Sequence, residues 1–175
     1  MKTIIIFFVF NFSLTFWLLG LLAALVHLLR LPRPWTQAVV VDVLLRWFLF
    51  FAVGTLYLYN AVVHTVFAEQ SAKFIGWANS PFQYEVGFAS LGFAVIGFIA
   101  ARGVWQARLC AIVGPACFSL GAAGGHIYQM VAQGNFAPGN AGVVFYTDIL
   151  LPVFGGVLLY LSRPSLSQQG AQVKA

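Results

Sequence analysis

The sequence predicts an all-α integral membrane protein: a bundle of five transmembrane helices with the N-terminus outside and the C-terminus cytoplasmic. Three observations predict it. Of 175 residues, 61% are hydrophobic and only 7% charged, with a mean hydropathy of +0.91, whereas a soluble domain carries about 25% charged residues. Five apolar segments approach or exceed the roughly 20 residues a spanning helix needs. The nine basic residues stand singly at segment ends, as topology signals do rather than as a nucleic-acid footprint, so the net charge of +5 implies no polynucleotide partner.

The first segment covers 3–29. Its apolar run from Thr3 to Leu29 far exceeds the roughly 7–15 residues of a signal-peptide core, so it reads as a retained helix. Pro32 and Pro34 break the chain after it. The second segment covers 40–67, and a connection at 68–81 follows. There Phe74, Ile75 and Trp77 fit either a short amphipathic piece that covers a site or an aromatic anchor at the interface. The third segment, 82–101, opens on Ser80-Pro81-Phe82-Gln83, a sequence suited to a capping box. The fourth, 108–132, follows Gly103, and the turn-rich QGNFAPGNAG at 133–142 leads to the fifth, 144–162. Residues 1–163 thus make one transmembrane domain, with a polar tail at 164–175 expected to be disordered. Cys110 and Cys117 on one helix lie roughly 10 Å apart along its axis, too far to bridge, and read as packed thiols.

Charge sets the orientation. Lys2 and Lys73 fall on one side; Arg30, Arg33, Arg46, Arg102, Arg108, Arg163 and Lys174 fall on the other. The positive-inside rule makes the second side cytoplasmic. Three of the four acidic residues, Glu69, Glu85 and Asp148, then share the outer side with two of the three histidines, His64 and His126. Ionisable groups at membrane depth are expensive and mark either a functional site or a paired structural one.

Imidazole and carboxylate together suit a transition-metal ion, so His64, Glu85, His126 and Asp148 are candidate metal ligands, with Asn60, Glu69, Gln129 and Asn140 supporting them. A related version makes His64 and His126 axial ligands of a b-type haem. Each has a structural alternative. Glu85 lies two residues beyond the cap and needs no partner if it is interfacial. His126 follows Gly121 and Gly125, a small-residue face suited to close helix approach. Asp148, four residues before Pro152, either presents its side chain and its unbonded carbonyl together or caps the helix start. Asp42 and Arg46, spaced i, i+4, read as an ion pair near the inner side, and His27 as reaching the headgroups.

No GxSxG, HExxH, Walker-type or GxGxxG motif occurs, which leaves no recognised catalytic signature. The functions left open are binding of a metal ion or small ligand, proton relay or transport, and an accessory subunit of a homo-oligomer or larger membrane complex. Within residues 60–160, PFQYEVGFASLGF, GGHIYQM, NFAPGNAG and YTDILLP together resemble the blocks of a family of small bacterial inner-membrane proteins of unknown function. The resemblance implies a multi-helix protein of that membrane and falls on Glu85, His126, Asn140 and Asp148.

Overall fold

A computed structural model describes residues 10–164. Lys2, Lys174 and the tail from 165 onward lie outside it, as does the start of the first segment. Five helical spans, Phe12–Arg30, Gln37–Thr65, Phe82–Ala100, Trp105–Gln133 and Pro138–Leu161, are long and apolar enough to cross a membrane. Among the described residues there are no strands. Large apolar side chains such as Leu22, Leu25 and Leu29, or Phe88, Val95 and Ile99, face away from the bundle. In water that surface would be a severe liability; in lipid it is the expected exterior.

Helix α1 is Phe12–Arg30 and α2 is Gln37–Phe48. The α2 start is capped by Thr36, whose hydroxyl accepts the Val39 N–H at 3.4 Å. The second span then passes through a π-helical stretch, Leu49–Thr55, before continuing as α3, Leu56–Thr65. The Thr55 hydroxyl donates to the Phe50 carbonyl, five residues back, at 3.0 Å. The wider π turn re-phases the helix face, and Ala52, Val53, Tyr57, Asn60 and His64 all border one interior space.

A short surface helix, α4 (Ala68–Ile75), links the second span to α5 (Phe82–Ala100). Helix α6 is Trp105–Gln133; a single turn, α7 (Pro138–Ala141), leads into α8 (Val143–Leu161). Helix α5 packs on α3 and the π stretch, and α6 packs on α8. The α5 contact runs along Gln83, Gly87, Ser90, Ala94 and Gly97. The closest approach to backbone is at Gly97, where a Cβ would lie 2.6 Å from the Gly54 backbone nitrogen. This is the small-residue helix contact of the fold. The corresponding expectation for Gly121 and Gly125 is corrected: a Cβ at either meets nothing within 4 Å.

Polar ties fix the remaining helices. The Thr147 hydroxyl donates to Ser13 Oγ at 2.7 Å, joining α8 to α1. At the end carrying Arg30, Arg102 and Arg163, Arg108 Nη1 donates to Asp42 Oδ1 at 2.7 Å, and Arg46 sits 3.5 Å from the same carboxylate. The expected Asp42–Arg46 pair is present, but α6 supplies the shorter bond. His27 accepts the Trp47 indole N–H at 3.1 Å and so ties α1 to α2, where the sequence reading sent it to the headgroups. Cys110 and Cys117 are free but exposed, not packed in the core as expected. Their spacing of about two helical turns puts both on one side of α6, and Cys117 borders the interior space.

Candidate functional site

Between the α3–α5 and α6–α8 pairs lies a cavity of about 630 Å³. Along α6 it extends from Ala111 to His126, a rise of roughly 22 Å at 1.5 Å per residue. Its walls are mainly apolar, and α6 contributes the small residues Ala111, Ala116, Gly121, Ala122 and Gly125. The glycines there make room rather than contact.

Polar groups concentrate where α6 ends. The imidazole of His126 is 6% exposed and Asn140 is fully buried. The Asn140 amide donates to the His126 carbonyl at 3.3 Å and to the Asn135 carbonyl at 2.9 Å. Its Oδ1 therefore serves as acceptor for His126 Nδ1 at 2.7 Å. This arrangement puts the ring proton on Nδ1, and in the neutral ring Nε2 keeps its lone pair. Nε2 faces Asp148 Oδ2 at 3.7 Å, too far for a hydrogen bond. Both groups border the cavity, and so does Pro152, one turn beyond Asp148. Asp148 is the sixth residue of α8 rather than a cap, since the helix begins at Val143.

On the opposite wall, His64 Nδ1 meets Gln83 Oε1 at 2.6 Å. The capping-box role expected for Gln83 is thus corrected: its side chain is committed to His64, its backbone N–H reaches the Ser80 carbonyl at 3.1 Å, and no side chain caps α5. Asn60 donates to Ser90 Oγ at 2.9 Å. Deeper in, midway along the cavity, the Tyr57 hydroxyl and Ser119 Oγ are 2.7 Å apart and join α3 to α6.

The two connections at this end form a roof. Gly76, at φ +79°, ends α4, with the Gly76 N–H returning to the Lys73 carbonyl at 3.2 Å and the Trp77 N–H to the Ala72 carbonyl at 2.9 Å. That left-handed closure turns the chain so that Trp77 borders the cavity, its ring centroid 5.9 Å from that of His126. The Trp77 indole N–H is buried and has no hydrogen-bond partner among the described residues. Asn135 clamps the roof, donating to the Ile75 carbonyl at 3.0 Å and the Gly76 carbonyl at 3.3 Å. Of the two readings of the 68–81 connection, the covering one matches this arrangement.

A Cβ at Gly76 would lie 2.6 Å from Asn135 Oδ1. A left-handed backbone costs a non-glycine residue about 1–2 kcal/mol in addition. Gly76→Ala is therefore expected to release the roof, seen as faster amide exchange over 68–81 and 133–142 with a lowered Tm. Unchanged exchange there would contradict the clamp.

The remaining sequence candidates stand apart. Glu85 is exposed on α5 and does not border the cavity. Glu69 is exposed and bonded to Lys73 Nζ at 2.7 Å, and that ammonium holds its carboxyl below the usual range. Gln129 is half-buried and uses its backbone carbonyl to close the end of α6. Among the described residues, no three His, Cys, Asp or Glu side chains gather as a metal shell requires. The structure thus joins His126, Asn140 and Asp148, places His64 and Asn60 in the same cavity, and leaves Glu69, Glu85 and Gln129 outside it. Sequence reasoning did not find Asn135 or the Gln83 contact, whose partners lie far along the chain.

The profile of DUF6790, a family of unknown function, matches residues 10–168. The chain belongs to that family. No curated protein and no solved structure matches it. Membership in DUF6790 agrees with the uncharacterised family that the four blocks resembled and carries no activity with it.

Proposed function

We propose that this protein binds a small amphiphilic molecule from the bilayer in the cavity between α3–α5 and α6–α8, with the polar head at His126 and Asp148. The cavity itself carries the reading. Its volume of about 630 Å³ lies within the roughly 300–1,000 Å³ of ligand pockets, and apolar walls with a few convergent polar groups are their usual chemistry. Asp148 Oδ2 and His126 Nε2 both face the space yet stand 3.7 Å apart, beyond bonding distance of each other. Buried polar groups are costly unless bonded, and a ligand head would satisfy them. The metal-ion reading lacks this support, because the fourth expected ligand, Glu85, faces away.

The orientation belongs to the same proposal. Arg30, Arg33, Arg102 and Arg163 crowd the end opposite His126, which the positive-inside rule makes cytoplasmic. The roof of α4 and α7 then faces outside, in a bacterial inner membrane if the family resemblance holds for this chain.

A diazirine-bearing dodecanol tests the reading in nanodiscs. Labelling should map to α6 and α3 residues of the cavity and saturate under competition by dodecanol. Gly121→Leu/Gly125→Leu, which adds side chains where a Cβ meets nothing within 4 Å, should insert normally and lose that labelling. Labelling that is unsaturable, or that survives the double substitution, would contradict it.

A further inference from the structure

The ligand's chemical class follows from what the polar end of the cavity lacks. Among the described residues no lysine or arginine borders the cavity, and the guanidinium groups of Arg108 and Arg46 are committed to Asp42 at the other end. What His126 and Asp148 present to the space is acceptor chemistry. His126 is held by Asn140 so that in the neutral ring Nε2 carries the lone pair. Asp148, which borders the cavity, offers a carboxylate that receives no hydrogen bond among the described residues, its side chain 20% exposed and 3.7 Å from that nitrogen. Two acceptors at this separation are too far apart to share a proton directly. A third atom, however, can sit about 2.9 Å from both and donate one hydrogen to each.

We propose that the molecule bound here is a lipophilic primary or secondary amine, whose ammonium donates one N–H to Asp148 and another to His126 Nε2. The inference rests on the cavity reading above and specifies its head group. A carboxylate or phosphate head would meet like charge at Asp148 with no basic group to offset it. An alcohol brings one hydrogen and can serve only one of the two acceptors. A quaternary ammonium brings no N–H at all. An ammonium brings both charge and hydrogens, and charge-assisted hydrogen bonds in a low-dielectric site are the stronger kind. Trp77, 5.9 Å from the His126 ring, adds an aromatic neighbour of the sort that favours cations.

Competition against the photoreactive dodecanol in nanodiscs tests this. Dodecylamine should displace it at about tenfold lower concentration than dodecanol does, as a charge-assisted bond in place of a neutral one implies. Dodecanoate should be weaker than dodecanol, and dodecyltrimethylammonium should fall short of the amine. Asp148→Asn keeps the side chain's shape and should bring the amine down to the alcohol's level, with thermal unfolding like that of the wild type showing that the variant is folded. Equal competition by amine and alcohol in the wild type would overturn the amine assignment and leave the cavity reading standing. An amine advantage that survives Asp148→Asn would overturn the role of Asp148. Absence of saturable labelling by any probe would overturn the cavity reading, and the amine assignment with it.

Discussion

Gly97→Leu is expected to prevent the bundle from assembling. A Cβ at position 97 would stand 2.6 Å from the Gly54 nitrogen, 2.9 Å from Val53 Cγ1 and 3.0 Å from Gly54 Cα. Two of these neighbours are backbone and cannot rotate away. Overpacking a core costs about 1–3 kcal/mol when side chains can adjust, so a clash with backbone should reach or exceed the upper end. The affected contact is the main one between α5 and the second span, and α5 carries Gln83 to His64. Size-exclusion profiles and thermal unfolding in mild detergent should show aggregated or strongly destabilised protein. Gly92→Leu is the matched control, since a Cβ there meets nothing within 4 Å and the new side chain would face lipid. A Gly97→Leu protein as stable as that control would contradict the packing described.

The second large effect is at Asp42. Its carboxylate receives Arg108 Nη1 at 2.7 Å, and the Arg108 side chain is only 11% exposed. Removing the carboxylate leaves a buried guanidinium without its counter-charge; hydrogen bonds to charged groups contribute about 1.5–3 kcal/mol. Asp42→Ala should lower stability by about that amount. Adding Arg108→Leu to it should recover much of the loss, because an apolar pair costs less than a charge left alone. A double substitution no better than Asp42→Ala would mean that the destabilisation does not come from the stranded guanidinium. Arg46 supplies little compensation, being 3.5 Å away and over a third exposed.

The spans were legible in the sequence because lipid demands long apolar helices, and composition alone meets that demand. That His126 and Asp148 share one end of the bundle was legible for the same reason. What depth could not supply was rotational phase. Gln83 and Glu85 sit at nearly the same level of α5, yet two residues turn a helix by about 200°. Gln83 therefore enters the core and Glu85 faces out. The glycines of α6 show the same ambiguity: small residues permit either a close helix or an empty space, and Gly121 and Gly125 line the space, while Gly97 makes the close contact. The π stretch at Leu49–Thr55 had no sequence signature, and it sets the facing of Tyr57, Asn60 and His64. Asn135 reaches Ile75 across 60 residues, a pairing that local pattern cannot reveal. Asn140, by contrast, was found from its block and lies at the centre of the His126 network.

The cavity between the two helix pairs is the central claim, and an anomalous-scattering experiment addresses it most directly. Crystals of the protein soaked with 12-bromododecanol should give a bromine peak inside the bundle, beyond Tyr57 and Ser119 toward Ile112, with the hydroxyl end toward His126 and Asp148. Bromine found only on the lipid-facing surface, with α3 and α6 closed against each other, would contradict the account.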